Sequence, residues 1–342
     1  MEPIDFFAIG DIVTEPFIRL KEAHINCKID SEQCEICMKW GDKIPYDYFI
    51  LMPAVGNASN AAVAAARLGL SSALRAYTGE DRYGEDCLAV LKAEKVDITF
   101  MVKDPSRPSN YHYVLWYETE RTILVKHENY DYRLPEIPPS VQWIYLSSLA
   151  DNSLPYHLAL AEWLQKNPST KLCFQPGTFQ MKLGIEALKN MYERTELFVC
   201  NKEEAQRILQ VEATLAHSPA TGEADDIKKI LEGLHALGPK IVVITNDRKG
   251  AYARTEAGEF WFVPMYPDTR PPFERTGAGD AFASSVTAAL ALGKPLEEAL
   301  LWGPVNAMCV VQEVGAQKGL LTREKLEEYV QNAPAEYKLE KM

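Results

Sequence analysis

Apolar and polar positions along this chain fall into blocks whose period keeps changing. Phe6-Phe7-Ala8-Ile9-Gly10 is an unbroken apolar run, the pattern of a strand buried on both faces. Residues 24–52 differ: His24-Ile25-Asn26-Cys27-Lys28-Ile29 and Tyr48-Phe49-Ile50-Leu51 mix polar with β-forming residues and predict strands exposed on one face. The alanine-rich run Asn60 to Leu70 predicts a helix with Gly69 as its C-terminal cap. Strand and helix signals then alternate. Strands are expected at Leu74–Tyr77, Ile98–Val102, Tyr111–Tyr117, Thr122–Val125, Trp143–Leu146, Leu172–Phe174, Leu197–Cys200 and Lys240–Thr245. Helices are expected at Gly84–Glu94 and at about 155–166, 180–192, 280–292, 296–311 and 323–331. Alternating β and α elements imply an α/β fold, a mostly parallel sheet covered on both faces. The exposed strands near 24–52 and 109–126 predict a small second sheet. The chain shows neither repeats nor a low-complexity linker.

Composition narrows the function classes. With 342 residues, 47% of them hydrophobic, the chain can bury a large core. Its net charge is −12, and the longest basic clusters are pairs such as Lys228-Lys229, so a nucleic-acid partner is not expected. No apolar stretch approaches membrane-spanning length, and Met1-Glu2-Pro3-Ile4-Asp5 has no signal-peptide character, which predicts no membrane partner and a cytoplasmic protein. Seven cysteines in a chain this long predict no disulfide framework. His24, Cys27, Cys34 and Cys37 nevertheless form H-x2-C-x6-C-x2-C, four ligand types that a structural Zn2+ accepts. The alternatives are unrelated thiols, or a redox-active Cys34 and Cys37.

Arg275-Thr276-Gly277-Ala278-Gly279-Asp280 runs straight into Ala281-Phe282-Ala283-Ser284-Ser285. Small residues at a helix N-terminus let an anion approach the backbone N–H groups, and the helix dipole favours it there. Asp280 stands where it can take a proton from a substrate hydroxyl. The plainer alternative is an ordinary loop with an acid in the first helical turn. Far upstream, Val55-Gly56-Asn57-Ala58-Ser59-Asn60 opens the alanine-rich helix. Asn201-Lys202-Glu203-Glu204 follows an apolar strand, where it also reads as a helix cap with first-turn acids. Thr245 to Gly250 and Val314-Gly315-Ala316 complete the set.

In this order, over roughly residues 5–330, these segments resemble the signatures of the ribokinase/PfkB carbohydrate kinase family. The resemblance implies a three-layer α/β/α domain over residues 1–342 with a small β-sheet lid from about 13–52 and 108–128. It implies ATP-dependent phosphorylation of a hydroxyl on a sugar, sugar acid or nucleoside. Asp280 would be the base, and Gly277, Ala278 and Gly279 the anion hole. Glu15 or Asp11, with Gly56, Asn57 and Asn60, would bind the acceptor. Asn201, Thr245, Asp247, Gly250, Thr276, Asn306 and Gly315 would lie on the nucleotide side, and Glu204 would hold Mg2+ through water. A homodimer through the lid is a further expectation. Arg107 and Arg121, in the lid segment, are candidates for an anionic group on the substrate.

The chain departs from the family pattern in places. Glu15 stands where an Asp is usual, Val55 replaces the first Gly of a pair, Glu274 and Arg275 replace Asp and Thr, and Asp247 takes the central Gly position of its turn. Of these, Val55, Asp247 and Glu274 support the alternative of a non-catalytic ligand-binding or regulatory protein on the same fold, against which the Thr276–Asp280 loop argues. A dinucleotide-binding dehydrogenase does not fit, because Gly10 is not followed by the further glycines that would cradle a pyrophosphate.

Overall fold

A computed structural model of the chain describes residues 3–27, 34–118, 120–210 and 223–342. In chain order its strands are β1 (Phe6–Ile9), β2 (Val13–Leu20), β3 (His24–Cys27), β4 (Cys34–Cys37), β5 (Tyr46–Val55), β6 (Ser72–Arg75), β7 (Tyr77–Gly79), β8 (Val102–Asp104), β9 (Tyr113–Tyr117), β10 (Glu120–Leu124), β11 (Trp143–Leu146), β12 (Lys171–Phe174), β13 (Leu197–Asn201), β14 (Ile241–Thr245), β15 (Ala251–Arg254), β16 (Phe260–Val263) and β17 (Glu340–Lys341). The helices are α1 (Asn57–Arg67), α2 (Arg82–Ala93), α3 (Leu154–Lys166), α4 (Thr178–Leu183), α5 (Lys189–Arg194), α6 (Lys202–Leu209), α7 (Glu223–Ala236), α8 (Ala278–Ala291), α9 (Leu296–Val310) and α10 (Arg323–Gln331).

The main sheet runs β6-β1-β11-β12-β13-β14-β15-β16-β17. From β6 to β14 neighbouring strands are parallel, and β15, β16 and β17 follow antiparallel. Strand periodicity divides the core into two layers. Phe6, Ala8, Trp143, Tyr145, Leu197 and Val199 pack with α1, α8 and α9 on one face. Phe7, Ile9, Ile144, Leu146, Phe198 and Cys200 pack with α3, α5 and α7 on the other. Both faces are therefore buried, which is why the parallel strands read as unbroken apolar runs. In α1, Ala58, Ala61, Ala62, Ala64 and Ala65 are fully covered. Their small side chains let this helix lie close to both the sheet and α8.

Several elements differ from the sequence-based expectation. The predicted 180–192 helix is two helices, α4 and α5, broken at Gly184, whose φ of 84° is the left-handed conformation glycine favours. Around 98–102 the strand is later and shorter, at Val102–Asp104.

A smaller sheet, β10-β9-β2-β5, forms from the segments expected to make one, with residues 28–33 and 119 of that expectation outside the described residues. Its register sorts side chains by face. Arg121 pairs with Trp116, Ile123 with Val114, and Phe17 with both Val114 and Ile50 on the inner side. Leu124 pairs with Tyr113, and Ile18 pairs with Leu115 and Phe49, on the outer side.

β3 and β4 form a separate exposed two-stranded arm, and here the zinc expectation fails. His24 pairs with Cys37 and Cys27 with Cys34 across the ladder. Residues three apart in a strand point to opposite faces, so the two pairs cannot converge on one tetrahedral centre. Cys27 and Cys34 are joined in a disulfide instead, which removes two thiolates from the proposed set. Among the described residues no group of three or more His, Cys, Asp or Glu side chains is placed to hold a metal. Nor, among them, is any helix long and apolar enough to cross a membrane.

Candidate active site

The loops at the C-terminal ends of the parallel strands meet under the inner face of the smaller sheet, and they enclose a cavity of about 600 Å3. This is the ligand edge of an open α/β sheet. Asp11 follows β1, Ser148 follows β11 and Gln175 follows β12, while Glu15 stands on β2, Asn201 ends β13 and Glu204 lies in the first turn of α6. Thr245 ends β14, and α8 contributes its N-terminus.

The turn before α8 depends on glycine. Gly277 caps the helix at φ 79°, and a Cβ there would lie 2.4 Å from the Ala316 Cβ. Gly279 is different: a Cβ would meet only Gln175 Nε2, at 3.9 Å, so it would project into the cavity. Helix geometry leaves the N–H groups of Ala278, Gly279 and Asp280 without intrahelical acceptors. The Thr276 hydroxyl at this edge is buried and unpartnered. Such an arrangement of donors can receive an anion.

Asp280, the third residue of α8, is buried. Its Oδ1 accepts from Asn57 Nδ2 at 2.7 Å and Gln175 Nε2 at 3.2 Å, and its Oδ2 accepts from Asn60 Nδ2 at 2.8 Å. Burial pushes the carboxyl above its ordinary 3.8, with the three amides and the charge of Arg121 pulling the other way. Gln175 is itself oriented. The Tyr145 hydroxyl donates to Gln175 Oε1, which turns the amide nitrogen toward Asp280. Burial holds the Tyr145 phenol well above its usual range, so it remains a donor.

At the far end of the cavity two carboxylates face two imidazoles. Glu15 Oε1 lies 3.3 Å from His112 Nδ1. Asp11 Oδ2 lies 2.7 Å from His127 Nδ1, off the line of an ideal hydrogen bond, while Asp11 Oδ1 accepts from the Tyr132 hydroxyl at 2.9 Å. The His112 and His127 rings are 5.0 Å apart, and His112 Nε2 is buried without a partner. Gly56, at φ 117°, turns the chain against the Asp11 carbonyl; a Cβ there would come within 2.8 Å of that oxygen.

Asn201 and Glu204 form the reciprocal capping box that the sequence offered as their plainer reading. Asn201 Oδ1 accepts from Glu204 N at 2.8 Å, and Glu204 Oε2 accepts from Asn201 N at 2.9 Å. Both residues also line the cavity. Burial raises the Glu204 pKa, the Asn201 N–H opposes this, and the negative charge of Asp280 raises it further.

The departures around the α8 loop compensate one another. Arg275 Nη1 lies 3.4 Å from Asp247 Oδ1, so the arginine offsets the charge at the Thr245–Gly250 turn. Arg275 Nε lies 3.5 Å from Glu120 Oε1, on the smaller sheet. Asp247 takes φ 46°, the left-handed conformation this turn needs. Glu274 is buried, and its carboxylate accepts from Thr276 N at 2.6 Å and Gly315 N at 2.8 Å, tying two loops together.

Residues singled out in the sequence meet in this one cavity: Asp11, Glu15, Gly56, Asn57, Asn60, Asn201, Glu204, Thr245, Thr276, Gly277, Ala278, Gly279 and Asp280 line it, and so do Val55, Arg121 and Arg275. Asp247, Gly250 and Gly315 lie outside its wall. Asn306 is fully buried away from it, where Nδ2 donates to Ser285 Oγ at 2.8 Å and Oδ1 accepts from Leu321 N at 2.9 Å. Sequence reasoning missed Tyr145, Ser148, Gln175, His112 and His127. The available signals were Gln175-Pro176-Gly177 directly after an apolar strand, and two of the chain's six histidines within one lid segment.

Comparison with known proteins bears on the family and the fold. The model of the pfkB family carbohydrate kinases matches residues 52–323. A ribokinase from Bacillus subtilis is 28% identical over 297 residues, 85% of this chain and 92% of the relative. A 5-dehydro-2-deoxygluconokinase from Geobacillus thermodenitrificans is 22% identical over 98% of this chain and 95% of its own length. Among solved structures, an Arabidopsis thaliana ribokinase complexed with ribose and ATP superposes with a TM-score of 0.78 at 17% identity, covering 97% of this chain and all of the other.

Proposed function

The chain belongs to the pfkB family of carbohydrate kinases, and from that premise we propose that it transfers the γ-phosphoryl group of ATP to a hydroxyl of a small sugar, sugar acid or nucleoside. The observation that carries this reading is Asp280, a buried carboxylate held by three amides, two from the first turn of α1 and one from the loop after β12, beside the N–H groups of α8 that lack intrahelical acceptors. A base needs its lone pairs aimed, and phosphoryl transfer is chiefly positioning and charge stabilisation.

In this mechanism the acceptor lies between Asp11, Glu15, Gly56 and Asn60. His112 and His127, each set against a carboxylate, offer their remaining nitrogens to its polar groups. The reacting hydroxyl displaces an amide at Asp280 and gives its proton to that carboxylate as its oxygen attacks phosphorus. Gly277, Ala278 and Gly279 receive the phosphoryl oxygens. Thr245, Thr276 and the Asp247–Gly250 turn border the nucleotide side, with Gly315 and Asn306 holding the adjoining loop from beneath. Two carboxylates in one cavity, with the charge of Asp280 raising the pKa of Glu204, suit a hydrated Mg2+, which is commonly held by one or two carboxylates and substrate phosphates. Glu204 and, more distantly, Asp280 would face it, and its charge would offset theirs and that of the phosphates. The smaller sheet acts as a lid over the acceptor, within a single kinase domain, and its apolar outer face supports a homodimer.

The test is ADP release from ATP across a panel of sugars, sugar acids and nucleosides, repeated with Asp280→Asn. Acceptor-dependent turnover lost in the variant is the expected result. Turnover of a panel member that survives Asp280→Asn would remove Asp280 as base.

A further inference from the structure

The two oxygens of Asp11 have unequal surroundings. Oδ1 accepts from the Tyr132 hydroxyl at 2.9 Å. Oδ2 is buried and, among the described residues, has no hydrogen-bond partner, since His127 Nδ1 at 2.7 Å lies off the line of a bond. An acceptor withdrawn from water and left unpaired is costly, so Oδ2 calls for a donor brought by a ligand. His112 Nε2, buried and unpartnered in the same way, belongs to the same cavity. The Glu15 carboxylate faces His112 Nδ1, which places the ring proton on Nδ1 and leaves Nε2 a lone pair. The far end of the cavity thus presents two unsatisfied acceptors, and hydroxyl groups are donors that match them.

Tyr132 decides which oxygen is left open. Ala150 N donates to the phenol oxygen at 3.4 Å, so the hydroxyl hydrogen is directed at Asp11. Burial, with the charge of Asp11 adding to it, holds the phenol well above its usual range, so it remains a donor. The ring is buried and packs edge-on against Tyr77, with centroids 5.0 Å apart. The next residue is pinned from the same side: Arg133 N donates to the Tyr77 hydroxyl oxygen at 2.7 Å, and Arg75 Nη2 donates to the Arg133 carbonyl at 2.6 Å. None of Arg75, Tyr77, Tyr132 and Arg133 lines the cavity. The assembly stands behind the wall and reaches the site through one hydroxyl.

We propose that Tyr132 is a positioning residue for the acceptor: by filling Asp11 Oδ1 from behind the cavity wall, its hydroxyl fixes the carboxylate so that Oδ2 receives a hydroxyl group of the bound acceptor. This rests on the kinase reading above, which sets the acceptor against Asp11. A carboxylate free to rotate would offer either oxygen at a range of angles, and holding it beforehand removes that cost from binding. Tyr132 lies outside the cavity, so its effect belongs to acceptor affinity and not to the transfer step at Asp280.

The experiment measures dissociation constants for D-ribose, D-gluconate and uridine by calorimetry and follows the probe that wild type binds most tightly. The variants are Tyr132→Phe, Asp11→Ala, the two combined, and Tyr130→Phe, with ADP affinity and thermal unfolding as checks of the fold. Tyr132→Phe keeps the ring and removes only the hydroxyl; it should weaken the probe about 10-fold. Its kcat at saturating probe should stay within about twofold of wild type. In the Asp11→Ala background the same substitution should change affinity by less than about twofold, because no carboxylate is left to orient. Tyr130→Phe is the structural control. The Tyr130 hydroxyl donates to the Pro108 carbonyl at 2.7 Å, so its loss disturbs the same tyrosine cluster without touching Asp11, and affinity should hold. Unchanged affinity in Tyr132→Phe overturns the proposal, and so do losses that simply add in the combined variant or an equal loss in Tyr130→Phe. Turnover of a probe with Tyr132→Phe indistinguishable from wild type rejects Tyr132 and leaves the kinase reading standing. The expected pattern of affinities in a chain that turns over no probe with ATP rejects the kinase reading alone, and a wild type that binds none of the three rejects both.

Discussion

Asp280 carries the most direct expectation at the scale of single residues. Burial raises its pKa, so the carboxylate form needed for proton transfer is lost at a higher pH than for an exposed Asp. The acid limb of kcat/KM should therefore lie above the ordinary 3.8, with activity rising as pH climbs through it. Asp280→Asn should lower kcat by about 10^2–10^4-fold and abolish that limb. A limb that persists in the variant would belong to another group. The two glycines of the turn should separate cleanly. Gly277→Ala meets both a positive φ and the Ala316 methyl, and should cost about 1–2 kcal/mol or more of stability, seen as a lower Tm. Gly279→Ala has room for its methyl, so Tm should hold while kcat falls, because the methyl occupies anion space. These residues were legible because their chemistry is local: a Gly-Ala-Gly-Asp run at a helix start can be read in a few positions. Gln175, Tyr145, His112 and His127 were not, since each acts through a partner far away in sequence and none has a motif of its own.

At the scale of elements, Arg275 links the smaller sheet to the turn after β14. Arg275→Ala should leave Asp247 uncompensated beside the nucleotide and raise the KM for ATP several-fold. The pairs are partly exposed, and such contacts contribute about 0.2–1 kcal/mol each. Combining it with Asp247→Gly should recover most of the loss; if the two effects simply add, Arg275 and Asp247 are not coupled through their charges. In the sequence these two departures read as separate defects, and only the fold shows that they face each other. Buried parallel strands such as Trp143–Leu146 were easy to recognise, because burial on both faces demands a continuous apolar run. The edge was not. β15 is four residues ending in Arg254, β16 is a four-residue apolar run too short to tell strand from helix by period, and β17 is two charged residues, so they produce little signal. The zinc expectation failed for a related reason. Spacing counts ligands but does not reveal which face of a strand each one occupies.

For the molecule as a whole, the outer face of the smaller sheet bears on assembly. Strand register places Ile18, Phe49, Leu51, Tyr113, Leu115 and Leu124 together on the side away from the cavity. Phe49, Leu51, Tyr113 and Leu124 are 56, 37, 48 and 52% exposed. A contiguous apolar face of this kind on an isolated chain favours association. With a net charge of −12, chains repel one another over most of their surface, so an apolar face is where two copies can approach at least electrostatic cost. The protein is expected to sediment as a dimer, and Phe49→Asp combined with Leu124→Asp should shift it to monomer by placing charges on both sides of the contact. Because these side chains point away from the cavity, ADP binding should persist in the monomer. A wild type that sediments as a monomer at micromolar concentration would reject this interface, and a double variant that remains a dimer would place the contact elsewhere.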